Sequence, residues 1–197
     1  MLKLRIVERR LWQPDLRNQL HLFCDARSTP PRLAAVLVGD GLVEFCDMEP
    51  EKSVLDIFRQ RGDGQIMSLE LLSIALGVCS FAKRLKGRNV VIWSDNTGAE
   101  VATQKGTTKN FDQGCIVHAL WRRFLELHMS VWVMRVPTDD NLADEPSREY
   151  YDTLRKLQAR QVAPLLDDSF KAPQTWQSLS FACVRGLKRA VSPDGRS

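Results

Sequence analysis

The run Val90-Val91-Ile92-Trp93 is apolar at every position and stops at Ser94-Asp95. Successive strand side chains point to opposite faces, so a half-exposed strand alternates and an unbroken apolar run marks one covered on both sides. A chain with such a strand needs a sheet with helices packed on it. The flanking pattern supplies them. Met67, Ile74, Val78, Phe81 and Leu85 recur at helical spacing and predict a helix over Met67–Leu85. Lys83, Arg84 and Lys86 crowd its end, where cations suit the helix dipole, and Gly87 follows as a C-cap.

Upstream, three short segments read as strands: His21–Asp25, Leu33–Val38 and Leu42–Cys46. Arg27-Ser28-Thr29-Pro30-Pro31 forms a turn cluster between the first two, and Gly39-Asp40-Gly41 a hairpin between the second and third. The chain therefore opens as an antiparallel meander. A short helix near Val54–Phe58 precedes the long one. Downstream come a short helix over Thr97–Gln104, a loop over Gly106–Asn110, a helix over Gln113–His128, a strand over Val131–Val136, and a helix over Ser147–Leu157 after Pro146. The resulting βββ-α-β-α-α-β-α order predicts an α/β fold with a five-stranded mixed sheet: three antiparallel strands, then two parallel ones, with helices on both faces.

At 197 residues the chain suits one domain with extensions. We expect a polar, basic lead-in over 1–19, a packed domain over 20–157, and a loosely ordered tail over 158–197. No segment has the apolar length to span a bilayer, and Met1–Arg10 is too charged for a secretory signal. Cys24, Cys46, Cys79, Cys115 and Cys183 form no Cys-x-x-Cys pair and mostly sit in apolar runs, which reads as reduced core thiols in an intracellular protein, cytoplasmic or nuclear. Trp93, Trp121 and Trp132 likewise fall in apolar patterns and read as core. The net charge of +4 permits a polyanionic partner without demanding one.

Four carboxylates stand out by position: Asp25 and Asp95 end strands, Glu70 shares a helix stripe with Met67, Ile74 and Gly77, and Asp144 lies in the first turn of the last helix or just before it. Each has an ordinary alternative. Asp25, Asp95 and Asp144 suit turns or helix N-caps, Asp95 especially before the helix near Thr97, and a helical Glu usually faces water. Asp139, Asp140 and Glu145 compete with Asp144. Taken together, four carboxylates gathered beside a core repel one another, and a divalent cation is the natural neutraliser.

The stretches Leu22-Phe23-Cys24-Asp25-Ala26, Leu69-Glu70-Leu71-Leu72-Ser73-Ile74, Trp93-Ser94-Asp95-Asn96-Thr97-Gly98-Ala99 and Asn141-Leu142-Ala143-Asp144-Glu145-Pro146-Ser147-Arg148 resemble the ribonuclease H type 1 family. They are most similar to the ribonuclease H domain of retroelement polyproteins, of the LTR and tyrosine-recombinase kinds. The resemblance covers about residues 20–157. It implies a ribonuclease H-like fold and hydrolysis of the RNA strand of RNA/DNA hybrids with two Mg²⁺ ions, for which Mn²⁺ substitutes. It implies that Asp25 bridges both metals, that Glu70 and Asp95 help hold one, and that Asp144 holds the ion that positions water. A reverse transcriptase domain in a parent polyprotein is the implied partner. Cellular members carry a histidine in the loop before the last helix; here that loop is Pro137-Thr138-Asp139-Asp140. Their basic helical protrusion has no counterpart, and Lys105, Lys109 and Asn110 are the residues placed to replace it. Arg27 and Asn96, each next to a catalytic candidate, are the rim residues expected to meet substrate backbone or a 2′-hydroxyl.

Two rival readings stay open. One keeps the fold without catalysis, as a weak or inactive nucleic-acid or protein interaction module. The other is a different nuclease or transposase of the same superfold, in which Glu70 would have no role.

Overall fold

In a computed structural model of the chain, residues 19–171 are described apart from 57, 59–61 and 63–64. The lead-in before residue 19, the tail beyond 171 and Cys183 lie outside the described residues. Strands β1 (Gln19–Ser28), β2 (Pro31–Gly39) and β3 (Leu42–Met48) form the expected antiparallel meander. Strands β4 (Asn89–Ser94) and β5 (Ser130–Arg135) add parallel to β1 and to each other, through His21↔Val91 and Val91↔Trp132. A sixth strand, β6 (Arg160–Gln161), pairs parallel with β3 and gives the order β5-β4-β1-β2-β3-β6. The expected mixed sheet, three antiparallel strands and two parallel ones, is thus present with a sixth strand beside the five expected. A two-residue strand carries no periodicity for a sequence to display.

The long helix is α2 (Ile66–Ser80), preceded by α1 (Lys52–Leu55) and followed, after a break at Phe81, by α3 (Ala82–Leu85). Helices α4 (Thr97–Lys105) and α5 (Phe111–Glu126) pack with α2 on one face of the sheet. There Leu22, Cys24, Ile74, Ile92, Ile116 and Phe124 belong to the main core. α2 lies so close that a Cβ on Gly77 would stand 2.9 Å from Leu22 Cδ1 and 3.0 Å from Ala35 Cβ, which only glycine avoids.

The opposite face carries a smaller core of Ala34, Val36, Phe45, Ala143 and Leu154. It is covered by α6 (Asp144–Ser147) and α7 (Asp152–Lys156), so helices do lie on both faces. The single helix expected over Ser147–Leu157 is two short ones, because Glu149 turns into the left-handed region (φ 62°) between them. This cover stops short of β5. Trp132, expected in the core, is 49% exposed there, since β5 is an edge strand whose outer face carries no helix among the described residues. Trp93 is half-buried, in ring contact with Phe23 and His21, and Trp121 donates Nε1–H to the Thr103 carbonyl at 2.8 Å.

The packed body continues beyond residue 157, where the tail was expected to begin. After β6 comes α8 (Asp168–Lys171), and Leu166 and Phe170 are buried in the main core. Cys24, Cys46, Cys79 and Cys115 are buried free thiols. No helix among the described residues is long and apolar enough to cross a membrane.

Candidate metal centre

β1 and β4 run parallel and stay paired only as far as Phe23↔Trp93. Beyond that point the strands part, and a crevice opens at their carboxyl ends, the place where open α/β sheets collect ligands. Asp25 and Asp95 stand on either side of it. Glu70 reaches it from α2, where it is 3% exposed. One carboxylate oxygen from each of Asp25, Glu70 and Asp95 lies within 4.8 Å of the others. The crevice is a cavity of about 420 Å³, and Arg27, Asn96, Thr138, Asp144, Ser147 and Arg148 also line it.

Local chemistry frees these acids from the ordinary roles open to them in the sequence. Asn96, not Asp95, caps α4: its Oδ1 accepts the Ala99 N–H at 3.0 Å. Asp95 is left to face the crevice, and Thr138 Oγ1 donates to its Oδ2 at 2.9 Å. Asp144 is the first residue of α6, and the N-cap position before it is held by Ala143, so Asp144 is not the cap. The turn before α6 is pinned from below. Buried Asn141 donates Nδ2–H to the Cys24 carbonyl at 3.1 Å and accepts the Ala143 N–H at 3.2 Å. This ties Asp144 to the strand that carries Asp25.

The electrostatics are those of crowded carboxylates. Burial, then the charges of Asp95 and Asp144, push the Asp25 carboxyl up to about 7, with the Ser147 hydroxyl opposing. Burial, then Asp25 and Asp95, push the Glu70 carboxyl well above its usual range despite the Ala26 N–H it receives. Glu70 Oε2 is buried and has no hydrogen-bond partner. An orphaned carboxylate oxygen is costly unless a proton or a cation meets it. An all-oxygen donor set is that of Mg²⁺ or Mn²⁺, and the crevice chemistry therefore fits a divalent ion.

Asp144 lines the same cavity without joining the cluster. Its Oδ1 takes two hydrogen bonds from Arg148, from Nε at 3.0 Å and from Nη2 at 2.8 Å. Of the other residues singled out in the sequence, Arg27 and Asn96 reach the cavity, whereas Lys105, Lys109 and Asn110 do not line it. Arg27 donates to the Pro30 carbonyl and to Glu149, and Asn110 donates Nδ2–H to Gln113 at the start of α5. Sequence reasoning gave no role to Thr138, Asn141 or Arg148. Arg148 follows Asp144 by four residues, a helical ion-pair spacing that was open to notice. Thr138 and Asn141 act across the fold: Asn141 opens the stretch that carries the family resemblance, yet its bond to the Cys24 carbonyl, like that of Thr138 to Asp95, has no local sign.

No protein-family model and no curated protein matches the chain. Among solved structures it is similar to an RNase H1 from the halophilic archaeon Halobacterium salinarum NRC-1, at 16% identity and a TM-score of 0.46, covering 68% of this chain and 98% of that one. It is also similar to NurA bound to dAMP and manganese, at 9% identity and a TM-score of 0.26, covering 73% of this chain and 39% of that one.

Proposed function

We propose that this chain is a divalent-metal-dependent nuclease that hydrolyses the RNA strand of RNA/DNA hybrids. The observation that carries the reading is the meeting of Asp25, Glu70 and Asp95 within 4.8 Å, from two strands and a helix, with Glu70 Oε2 buried and unpartnered. Such a cluster persists only where protons or a cation offset its own repulsion, and the raised Asp25 and Glu70 carboxyls show how strongly it resists being charged without one. Asp25, Glu70 and Asp95 would hold one Mg²⁺, and Asp25 with Asp144 a second, with Mn²⁺ as substitute. The bound ions would supply Lewis-acid activation of water and of the phosphodiester. The side chains do the rest. Thr138 fixes the rotamer of Asp95, and Asn141 fixes the turn that carries Asp144. Arg27 and Asn96 would meet the nucleic-acid backbone at the rim, with Lys105, Lys109 and Asn110 adding sequence-independent phosphate contacts farther along. No Ser-His or Cys-His nucleophile is required.

The test is cleavage of a labelled hybrid with Mg²⁺ or Mn²⁺. Activity should vanish in EDTA and in Asp25→Asn, Asp95→Asn and Glu70→Gln, with folding intact by circular dichroism. Hydrolysis that survives EDTA removes the mechanism. A harmless Glu70→Gln, with the other acids essential, would point instead to a different nuclease of the same superfold. The pairing of Asp144 with Arg148 favours one rival, a module that binds hybrids and never cuts, and the same assay with Mn²⁺ separates the two. The same reading makes the chain retroelement-derived, with a reverse transcriptase as its companion in a parent polyprotein. Stimulation of cleavage by that companion domain is the check.

A further inference from the structure

The fourth carboxylate stands at the cavity and outside the cluster, and one residue accounts for it. We propose that Arg148 is a phosphate-responsive latch: it holds Asp144 away from the triad in the free protein and releases it when a nucleic-acid phosphodiester takes the guanidinium. This rests on reading the cavity as a metal and nucleic-acid site, and it adds the order in which the site is completed.

Three features carry the latch. The first is placement: Asp144 and Arg148 line the same cavity as Asp25, Glu70 and Asp95, so a phosphate entering it meets the guanidinium. The Arg148 side chain is 62% exposed and that of Asp144 25%, which leaves the arginine on the open side. The second is the mode of grip. Nε and Nη2 of Arg148 both bind one oxygen, Oδ1, and not two. A guanidinium fork is matched by two parallel acceptors, and a phosphodiester offers two non-bridging oxygens where Asp144 uses one. Phosphate is therefore the better partner. The third is the fixed backbone beneath. The Asp144 N–H binds the Asn141 carbonyl at 2.9 Å, the Ser147 hydroxyl binds the Asp144 carbonyl at 2.8 Å, and Asn141 is tied to β1. Release therefore frees a carboxylate without moving the turn that carries it. Affinity for the second cation and affinity for the polynucleotide then become reciprocal, each raising the other.

The test titrates Mn²⁺ into the full chain by calorimetry, with and without a short hybrid whose RNA strand is 2′-O-methylated to prevent cleavage. Wild type alone should bind one Mn²⁺ well and a second only weakly, and the hybrid should strengthen the second. Arg148→Gln should strengthen the second ion about tenfold without any hybrid, because a charge-assisted competitor is gone. That gain should disappear in the Arg148→Gln, Asp144→Asn double variant. Hybrid affinity of Arg148→Gln should fall, with a salt slope lower by about one. Arg148 is exposed, so circular dichroism should be unchanged. An Mn²⁺ isotherm that Arg148→Gln does not alter, or a gain that persists in the double variant, overturns the latch and leaves the metal site standing. Wild type that binds no Mn²⁺ at all removes the metal reading and the latch with it.

Discussion

Asp25 shows how a single residue can oppose the fold that holds it. Its carboxyl is pushed from 3.8 up to about 7 by burial and by its neighbours' charges. A raised folded value means that the folded chain holds the proton more tightly than the unfolded chain does. The group is therefore compatible with folding at low pH, and it costs stability progressively as pH rises from about 4 through about 7. A shift of that size corresponds to on the order of 4 kcal/mol, and Glu70 adds a cost of the same sign. We predict that in EDTA the difference in melting temperature between Asp25→Asn and wild type grows in the variant's favour between pH 5 and pH 8. Added Mn²⁺ should reverse the order at pH 8, stabilising wild type and leaving the variant nearly unmoved. A flat difference across that range would mean that neither burial nor like charges raise the Asp25 carboxyl. The roles of Asp25, Glu70 and Asp95 were suggested in the sequence because each sits at a place where periodicity ends or conflicts with charge. Arg148 was not, because a solvent-exposed arginine four residues after an aspartate is the commonest kind of surface pair.

At the scale of elements, the site depends on how the turn before α6 is fastened to β1. The Asn141 side chain is 4% exposed and makes both a donor and an acceptor bond to backbone. Asn141→Ala leaves the Cys24 carbonyl and the Ala143 N–H unsatisfied, which costs about 1–3 kcal/mol by denaturant unfolding. Cleavage should fall further than stability explains, up to about 100-fold, because a carboxylate displaced by an ångström no longer meets its partners. Equal rates at temperatures where both proteins are folded would show that the turn needs no such anchor. The break of the last helix into α6 and α7 belongs to this scale too. Residues Ser147–Leu157 have helical composition throughout, yet Glu149 leaves helical geometry. There its carboxylate bridges Arg27 and Arg32 on β1 and β2. Those partners lie more than 100 residues upstream, beyond the reach of any local pattern.

For the molecule as a whole, the packed body ends later than the fading periodicity suggests. Phe170 is fully buried and Leu166 nearly so, both in the main core. Phe170→Ala should cost about 3–5 kcal/mol by denaturant unfolding, and a chain ending at Leu157 should melt well below one ending at Lys171. Equal stability of the two would return the boundary to residue 157. What the sequence determined by itself is the order and kind of the long elements, because their hydrophobic periods of two and of about 3.6 are written locally. It also determined the candidacy of the four acids, as carboxylates at element ends or, for Glu70, within the apolar stripe of a helix. Tertiary structure alone decided which of those acids meet. It brought Asp25, Glu70 and Asp95 to one crevice and left Asp144 on Arg148. It decided that β6 and Phe170 join the body and that Trp132 faces outward. The physical reason is range: strand pairing, ion pairs and burial between distant segments depend on three-dimensional separation, and local periodicity carries no record of it.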